Sequence, residues 1–466
     1  VTTSVSSTTS PTTRSRSPKP SASTSPVTAR AASTASAKPG RLDWIRVMLD
    51  KPLASFHLVL ASAGMLVALG LMMVLSSSSV YAYQYEGDAY YYLKRQSVFL
   101  AVGLVGAWVV NRLSRSLLRA VGWIALFGSA ALLILTYTPM GVTVNGNRNW
   151  LQLGSPMLQL QPSEFAKLAM IIWAADVLAR KEKLLDQPKH LLIPFLPVTG
   201  LMILLVVFQG DAGTAVVMAG IVAGVLWIVG APMRIFATIG TLGVVGVIGL
   251  FVTSPNRMGR LMAFLNPSTD TAGTNLQATV AMRGIASGGW WGVGLGASRE
   301  KWGSLPEAHT DFIFAVIGEE LGLFGSLAVL GLFLVLGYAG LRIVARTDDK
   351  FHRYLAAGVT SWFMVQALIN LGVVLRLLPI AGVPLPLLSY GGSALMANVI
   401  AVGVLVTCAR NEPAARRVLS RAPQPVRPEM TTVVDGRGTS RRRSSGTGAK
   451  AGSRTSTSTT TGRRRR

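Results

Sequence analysis

The chain is 466 residues long; half of them are hydrophobic and only 14% are charged, against roughly 25% for an ordinary soluble domain. With a mean hydropathy of +0.45, this composition argues against a soluble globular enzyme. The formal charge of +25 is concentrated at the ends: residues 1–40 carry five basic and no acidic residues, residues 410–466 fifteen basic and three acidic. No folded reading element accompanies that charge, so no nucleic-acid partner is expected. One cysteine, Cys408, excludes an intrachain disulfide and an all-cysteine metal site, and four scattered histidines speak against a histidine-rich cluster.

Residues 1–40 are Ser, Thr, Ala, Pro and Lys/Arg, and the segment 411–466 is similar. Such stretches bury too little apolar surface to offset ordering entropy and are predicted to be disordered basic tails. The first has no apolar h-region of a cleaved leader. The tails read either as solvated chain or as segments attracted to an anionic leaflet or an acidic partner. Between them, residues 41–410 form a membrane domain. Apolar runs near the length needed to cross a bilayer, about 20 residues, fall at 56–77, 96–111, 118–137, 163–180, 191–209, 212–231, 235–253, 312–340, 355–375 and 391–409. The expected fold class is therefore an all-α polytopic membrane protein with ten transmembrane helices. Short basic loops (Arg112, Arg115, Arg119; Arg180, Lys181, Lys183, Lys189; Arg234; Arg342, Arg346, Lys350, Arg353) alternate with basic-poor ones. The positive-inside bias then puts both termini in the cytoplasm. Outside lie 78–95, 138–162, the large loop 254–311 and 376–390.

These outer segments hold the chemistry. In Asn145-Gly146-Asn147-Arg148-Asn149-Trp150, Arg148 is able to clamp a phosphate, and Trp150 suits a headgroup position. Gln161-Pro162-Ser163-Glu164-Phe165-Ala166-Lys167 opens a helix, and Glu164 and Lys167 share a face. They read equally as an internal pair or as a site for an anionic ligand. Asp211, in Gln209–Thr214, is a helix cap or a second outer acid. In the run Leu305–Phe314, Asp311 stands where water gives way to hydrocarbon, either as an N-cap or as a general base. Glu307 and His309 flank it. Glu319 and Glu320 lie two turns into the next span, paired structurally or handling substrate or protons; Gly318 and Gly322 are expected to let a neighbouring helix approach. Pro384–Ser393, with Ser389, makes an extended approach to the last span. No Walker A or dinucleotide glycine pattern occurs, which disfavours a nucleotide-driven pump.

Together with the glycine-rich Gly288–Gly296, these motifs resemble the SEDS family (shape, elongation, division and sporulation), in family order from about 55 to 410, and most closely its cell-division members of actinobacterial type. The resemblance implies a SEDS-type fold and a peptidoglycan glycosyltransferase that polymerises lipid II, an undecaprenyl-pyrophosphate-linked disaccharide-pentapeptide. The work is done on the outer face of the cytoplasmic membrane at the division septum, beside a cognate class B penicillin-binding protein and other divisome proteins. It places the essential aspartate on Asp311, the loop tryptophan on Trp150, the short-loop acid on Asp211 and the Glu-Lys pair on Glu164 and Lys167. Asn149 stands where many members have arginine, and Ala381 where some have a basic residue. Asp311 would deprotonate the acceptor hydroxyl or hold a metal. Arg148, Lys167 and a divalent cation such as Mg2+ are candidates for stabilising the departing pyrophosphate. A lipid II flippase and an elongation-type polymerase are the alternatives.

Overall fold

The computed structural model describes residues 49–144, 146–152, 154, 159–182, 193–253, 258–259, 262, 264–265, 274–302 and 305–421. The expectations for 1–40, for most of 411–466, for parts of the 254–311 loop and for Lys183 and Lys189 lie outside these residues. The elements are α1 (Ala54–Glu86), α2 (Tyr91–Arg112), α3 (Arg115–Leu135), β1 (Gly141–Val144), β2 (Asn147–Gln152), β3 (Gln159–Leu160), α4 (Pro162–Arg180), α5 (Phe195–Phe208), α6 (Ala212–Val229), α7 (Met233–Thr253), α8 (Thr274–Gly288), α9 (Ile313–Arg346), α10 (Lys350–Val374), α11 (Gly392–Arg410) and α12 (Pro413–Arg421).

The expectation of ten spans is overturned. Among the described residues seven helices are long and apolar enough to cross a membrane: α1, α2, α3, α6, α9, α10 and α11. The run at 163–180 does form a helix, α4, but it carries Glu164, Lys167, Asp176 and Arg180, and the first three are buried inside the protein. The run at 191–209 yields the 14-residue α5, too short for the bilayer core. In α7 the apolar stretch is also short, Met233–Gly246. The even count that placed both termini on one side is lost with the ten spans. The molecule is a multi-pass membrane protein.

Helix ends follow local chemistry. Ser114 caps α3 by accepting from Leu117 N at 3.3 Å. Pro162 begins α4, where its missing N–H costs nothing, with Glu164 in the first turn. Asp211 caps α6, and Gly230 ends it in the left-handed conformation. The centre is α10, which packs against α4, α6, α9 and α11. It comes close to α6 at Gly224 and to α9 at Gly340, where a Cβ would meet Ser361 Oγ at 2.0 Å and Thr360 Oγ1 at 2.1 Å. Trp362, Phe363 and Phe351 of α10 fill the interior. The antiparallel sheet β1-β2-β3 lies between α3 and α4 in the chain, with Val142 opposite Trp150 and Leu151 opposite Leu160.

One helix is interrupted. Gly322, expected to serve helix packing, has φ 68° and ψ −163° inside α9, a combination open essentially to glycine alone. The glycine-rich segment after α8 fills the break. Val293 N and Gly294 N donate to the Glu319 and Glu320 carbonyls at 3.0 and 3.1 Å, and Leu323 N donates to Gly289 O at 2.9 Å. Backbone groups freed by the break thus regain partners within the protein, as hydrocarbon surroundings require.

Candidate active site

A cavity of ≈ 1080 Å³ opens at the helix ends where the sheet, the α5–α6 turn, the segment before α9 and the segment between α10 and α11 converge. Of the residues singled out from sequence, Trp150, Asp211, Glu307, His309 and Asp311 line it.

Asp311 is positioned by backbone. Thr310 N and Phe312 N donate to Glu307 O at 3.2 and 3.3 Å, closing a turn in which Glu307 takes a φ of 57°. Asn370 of α10 donates from Nδ2 to Asp311 O at 2.7 Å and to Val383 O at 2.8 Å. It thereby ties the aspartate's peptide to the segment across the cavity. The N-cap of α9 is Phe312, one residue after Asp311, with no cap bond from its own side chain. Gly382, with a φ of 66°, faces Asp311 across the cavity: a Cβ built on it would lie 3.7 Å from Asp311 Oδ2, an ordinary contact distance.

Asp211 is a junction. Its Oδ1 accepts from Thr214 N at 2.9 Å; its Oδ2 accepts from Thr214 Oγ1 at 2.9 Å, Asn149 Nδ2 at 3.0 Å and Gln161 Nε2 at 3.2 Å. One carboxylate therefore caps α6 and binds both β2 and the start of α4. Gly213 meets the opposite segment so closely that a Cβ would stand 2.2 Å from Ala381 O.

His309 sits against Tyr81, Tyr92 and Tyr390, with ring centroids 5.1–5.9 Å away, and its carbonyl accepts from Tyr390 N at 2.9 Å. Burial lowers its imidazole pKa below the ordinary value, against the opposite pull of Glu307. Burial pushes the Tyr390 hydroxyl up to about 12, with the neighbouring Arg95 acting the other way. Glu307 Oε2 accepts from Thr310 Oγ1 at 2.7 Å.

The remaining sequence candidates do not line the cavity. Lys167 Nζ donates to Glu164 Oε1 at 2.8 Å and Gln366 Oε1 at 2.9 Å, and both members of the pair are 1% exposed. Gln366 in turn donates to Pro384 O at 2.9 Å, so the lysine supports the cavity lining through an intermediary. Arg148 turns to Thr138 O at 2.7 Å, while its backbone N–H donates to Gln209 O at 3.0 Å. Glu319 accepts from Ser298 Oγ at 2.5 Å and Arg299 N at 2.8 Å; Glu320 accepts from Ser76 Oγ at 2.7 Å and faces Lys301 at 3.4 Å. These two acids anchor the loop at the α9 break. Ser389 Oγ accepts from Leu385 N at 2.8 Å and closes a turn.

Sequence reasoning passed over Arg95, the cation lining the cavity among the described residues, and the amides of Asn149, Gln161, Gln366 and Asn370. Arg95 had a signal, since Lys94-Arg95-Gln96 opens an otherwise apolar helix. Among the described residues no three His, Cys, Asp or Glu side chains come together as a metal site, and the Asp211 oxygens are already engaged. The described residues do not form a metal cage.

The comparisons with known proteins concern the chain and its fold as a whole. The family model described as "Cell cycle protein", covering FtsW, RodA and SpoVE, matches residues 56–413. The Mycobacterium tuberculosis protein named "Probable peptidoglycan glycosyltransferase FtsW" is 39% identical over 368 residues, covering 79% of this chain and 70% of that protein. The Bacillus subtilis "Stage V sporulation protein E" is 36% identical over 347 residues, 74% of this chain and 94% of that one. Among solved structures, one described under "Structural coordination of polymerization and crosslinking by a peptidoglycan synthase complex" aligns with a TM-score of 0.62 at 28% identity, covering 76% of this chain and 97% of that one. The Thermus thermophilus rod shape determining protein RodA aligns at 0.55 and 26%, covering 76% and 96%.

Proposed function

Because the chain belongs to the SEDS family of FtsW, RodA and SpoVE, we propose that it is a peptidoglycan glycosyltransferase that polymerises lipid II in the cytoplasmic membrane, acting on the outer face during septal wall synthesis. The observation that carries the chemistry is Asp311, lining a cavity of ≈ 1080 Å³ immediately before the Phe312 N-cap of α9. Such a volume reaches the top of the range of ordinary small-molecule sites and suits paired saccharide units.

In this reading the 4-hydroxyl of the acceptor N-acetylglucosamine attacks the anomeric carbon of the donor. Asp311 takes the hydroxyl proton, the new glycosidic C–O bond forms, and the bond to the lipid pyrophosphate breaks with its electrons leaving on the pyrophosphate. Arg95 is the cavity-lining cation available to the leaving charge. No step is routed through a metal. Asp211, Asn149, Gln161 and Asn370 hold the segments that frame the reaction. The septal role draws on the relatives named FtsW. A class B penicillin-binding partner is the natural supplier of cross-linking, in keeping with the polymerising and cross-linking complex that one similar structure comes from.

The test is polymerisation of labelled lipid II by the purified protein with its cognate partner, whose transpeptidase is blocked. Asp311→Asn removes the base and should lower strand synthesis at least about 100-fold, with thermal stability and partner binding retained. Equal synthesis by both proteins refutes the assignment. Absence of synthesis by the wild type, together with lipid II crossing vesicles, establishes a flippase instead.

A further inference from the structure

The turn after α10 carries an arginine in an unusual setting. Arg376 has a φ of 58°, a left-handed backbone that glycine adopts freely and a long side chain does not. It is held there by hydrogen bonds from Arg376 N to Val373 O at 3.0 Å and from Leu377 N and Leu378 N to Gly372 O at 2.7 and 3.0 Å. Its Nη2 is enclosed, yet has no hydrogen-bond partner among the described residues. A guanidinium N–H shut away from water without an acceptor is unfavourable, and it sits on a backbone that is itself unfavourable. Such combinations persist where function needs them.

The surroundings indicate what the function handles. Leu375, Leu377 and Leu378 on either side of Arg376 are 41%, 70% and 41% exposed, an apolar patch at the end of a helix long and apolar enough to cross a membrane. Leu378 is also the first of five consecutive residues, Leu378 to Gly382, that line the cavity, and Ile369 and Val216 continue its apolar side. Arg376 does not itself line the cavity; it stands between these exposed leucines and the cavity wall, which begins two residues on at Leu378. That is the place at which an isoprenoid chain must part from the phosphates it carries.

We propose that Arg376 is a ligand for the pyrophosphate of a polyprenyl-linked substrate, whose hydrocarbon tail leaves the cavity over Leu375, Leu377 and Leu378. The inference rests on the glycosyltransferase reading above. A planar guanidinium fork matches a diphosphate in two parallel hydrogen bonds, and the bound anion supplies the acceptor that the described residues do not.

The full chain is reconstituted in nanodiscs and titrated with undecaprenyl pyrophosphate, undecaprenol and inorganic pyrophosphate. Wild type, Arg376→Gly, Arg376→Gln and Arg376→Lys are compared, and melting temperatures are recorded for each. Wild type should prefer the lipid pyrophosphate to undecaprenol by at least about tenfold, as a charge-assisted contact provides. Arg376→Gly and Arg376→Gln should lose most of that preference, and Arg376→Lys should keep part of it. Arg376→Gly should melt at or above the wild-type temperature, because glycine accepts the φ without strain. A more comfortable backbone with a weaker ligand is a pairing that a merely structural arginine does not produce.

Unchanged preference in the glycine and glutamine variants overturns the proposal, as does inorganic pyrophosphate binding as tightly as its lipid form. Lipid II polymerisation is followed in parallel. Wild type that binds through Arg376 but makes no strands refutes the glycosyltransferase reading alone. Strands from every variant at the wild-type KM, with unchanged binding, refute the role of Arg376 alone.

Discussion

The Glu164–Lys167 pair offers a decisive perturbation, because sequence spacing allowed it to serve substrate while the structure turns it inward. Lys167→Met leaves the Glu164 carboxylate 1% exposed, with its Oε2 already lacking a partner among the described residues. Breaking a buried pair in this way costs about 3–5 kcal/mol. Two smaller losses accompany it. Gln366 Oε1 forfeits one donor but keeps Trp362 Nε1 at 2.7 Å. The ammonium 4.9 Å above the Trp362 ring is removed, a contact worth about 0.5–2 kcal/mol. Lys167→Met combined with Glu164→Gln removes both charges at nearly constant volume and should return to within about 1 kcal/mol of wild type. The double-mutant cycle should therefore give a coupling of at least about 2 kcal/mol, the difference between Lys167→Met and the double variant, enlarged by whatever Glu164→Gln costs alone. Reversible detergent unfolding in mixed micelles measures the stabilities, and lipid II polymerisation measures function. The double variant should keep its KM within about threefold, as befits a group that does not touch substrate. A folded double variant whose KM rises about tenfold or more would show that the ammonium reaches the ligand, and a double variant no more stable than Lys167→Met would refute the energetic argument.

Two further outcomes are expected. Gly322→Ala puts a Cβ 2.4 Å from Gly292 N on a backbone with φ 68°; it should cost about 3 kcal/mol from strain and overpacking, and an unchanged melting temperature would show that the α9 break is dispensable. For His309, the unfolded chain takes up a proton near its ordinary pKa of about 6.5, whereas the buried ring takes it up only in more acidic solution. This residue therefore leaves stability untouched well above pH 6.5 and lowers it progressively as the pH falls below. His309→Phe should flatten the decline in melting temperature between pH 8 and pH 5, and equal slopes for the two proteins would refute the assignment.

Asp311, Asp211, Glu307, His309 and Trp150 could be found in the sequence because each is polar, or interfacial by habit, and stands where an apolar run begins or ends; in the fold, those ends meet around one cavity. Direction was not legible. Spacing puts Glu164 and Lys167 on one helix face, but nothing local says whether that face turns to the cavity or to Trp362 and Gln366. Counting apolar residues also misjudged α4, whose Asp176 is buried between Arg119, Arg180 and the Trp123 indole. A helix with such internal partners is part of the packed core and does not resemble a span built of apolar residues alone. Gly322 looked like a contact between helices because glycine serves both purposes, and only the pairing of Val293, Gly294 and Leu323 across the gap reveals a break. The amides that brace the site, Asn149 and Asn370, have meaning only through their partners far along the chain.

The break at Gly322 has a mechanical consequence. The stub of α9 before it carries Asp311 at its head and is gripped from the side by the glycine-rich loop; the stretch from Leu323 to Arg346 presents Leu327, Leu334 and Leu341 outward. A membrane that thickens or thins tilts its helices to restore the match between hydrophobic lengths. In an unbroken rod of 34 residues that tilt would swing the far end, and the carboxylate with it. Here the helix is interrupted at Gly322 and both sides of the break are tied to the same glycine-rich loop, Glu319 and Glu320 through their carbonyls and Leu323 and Phe324 through their amides, so the far end of α9 is not one continuous lever on Asp311.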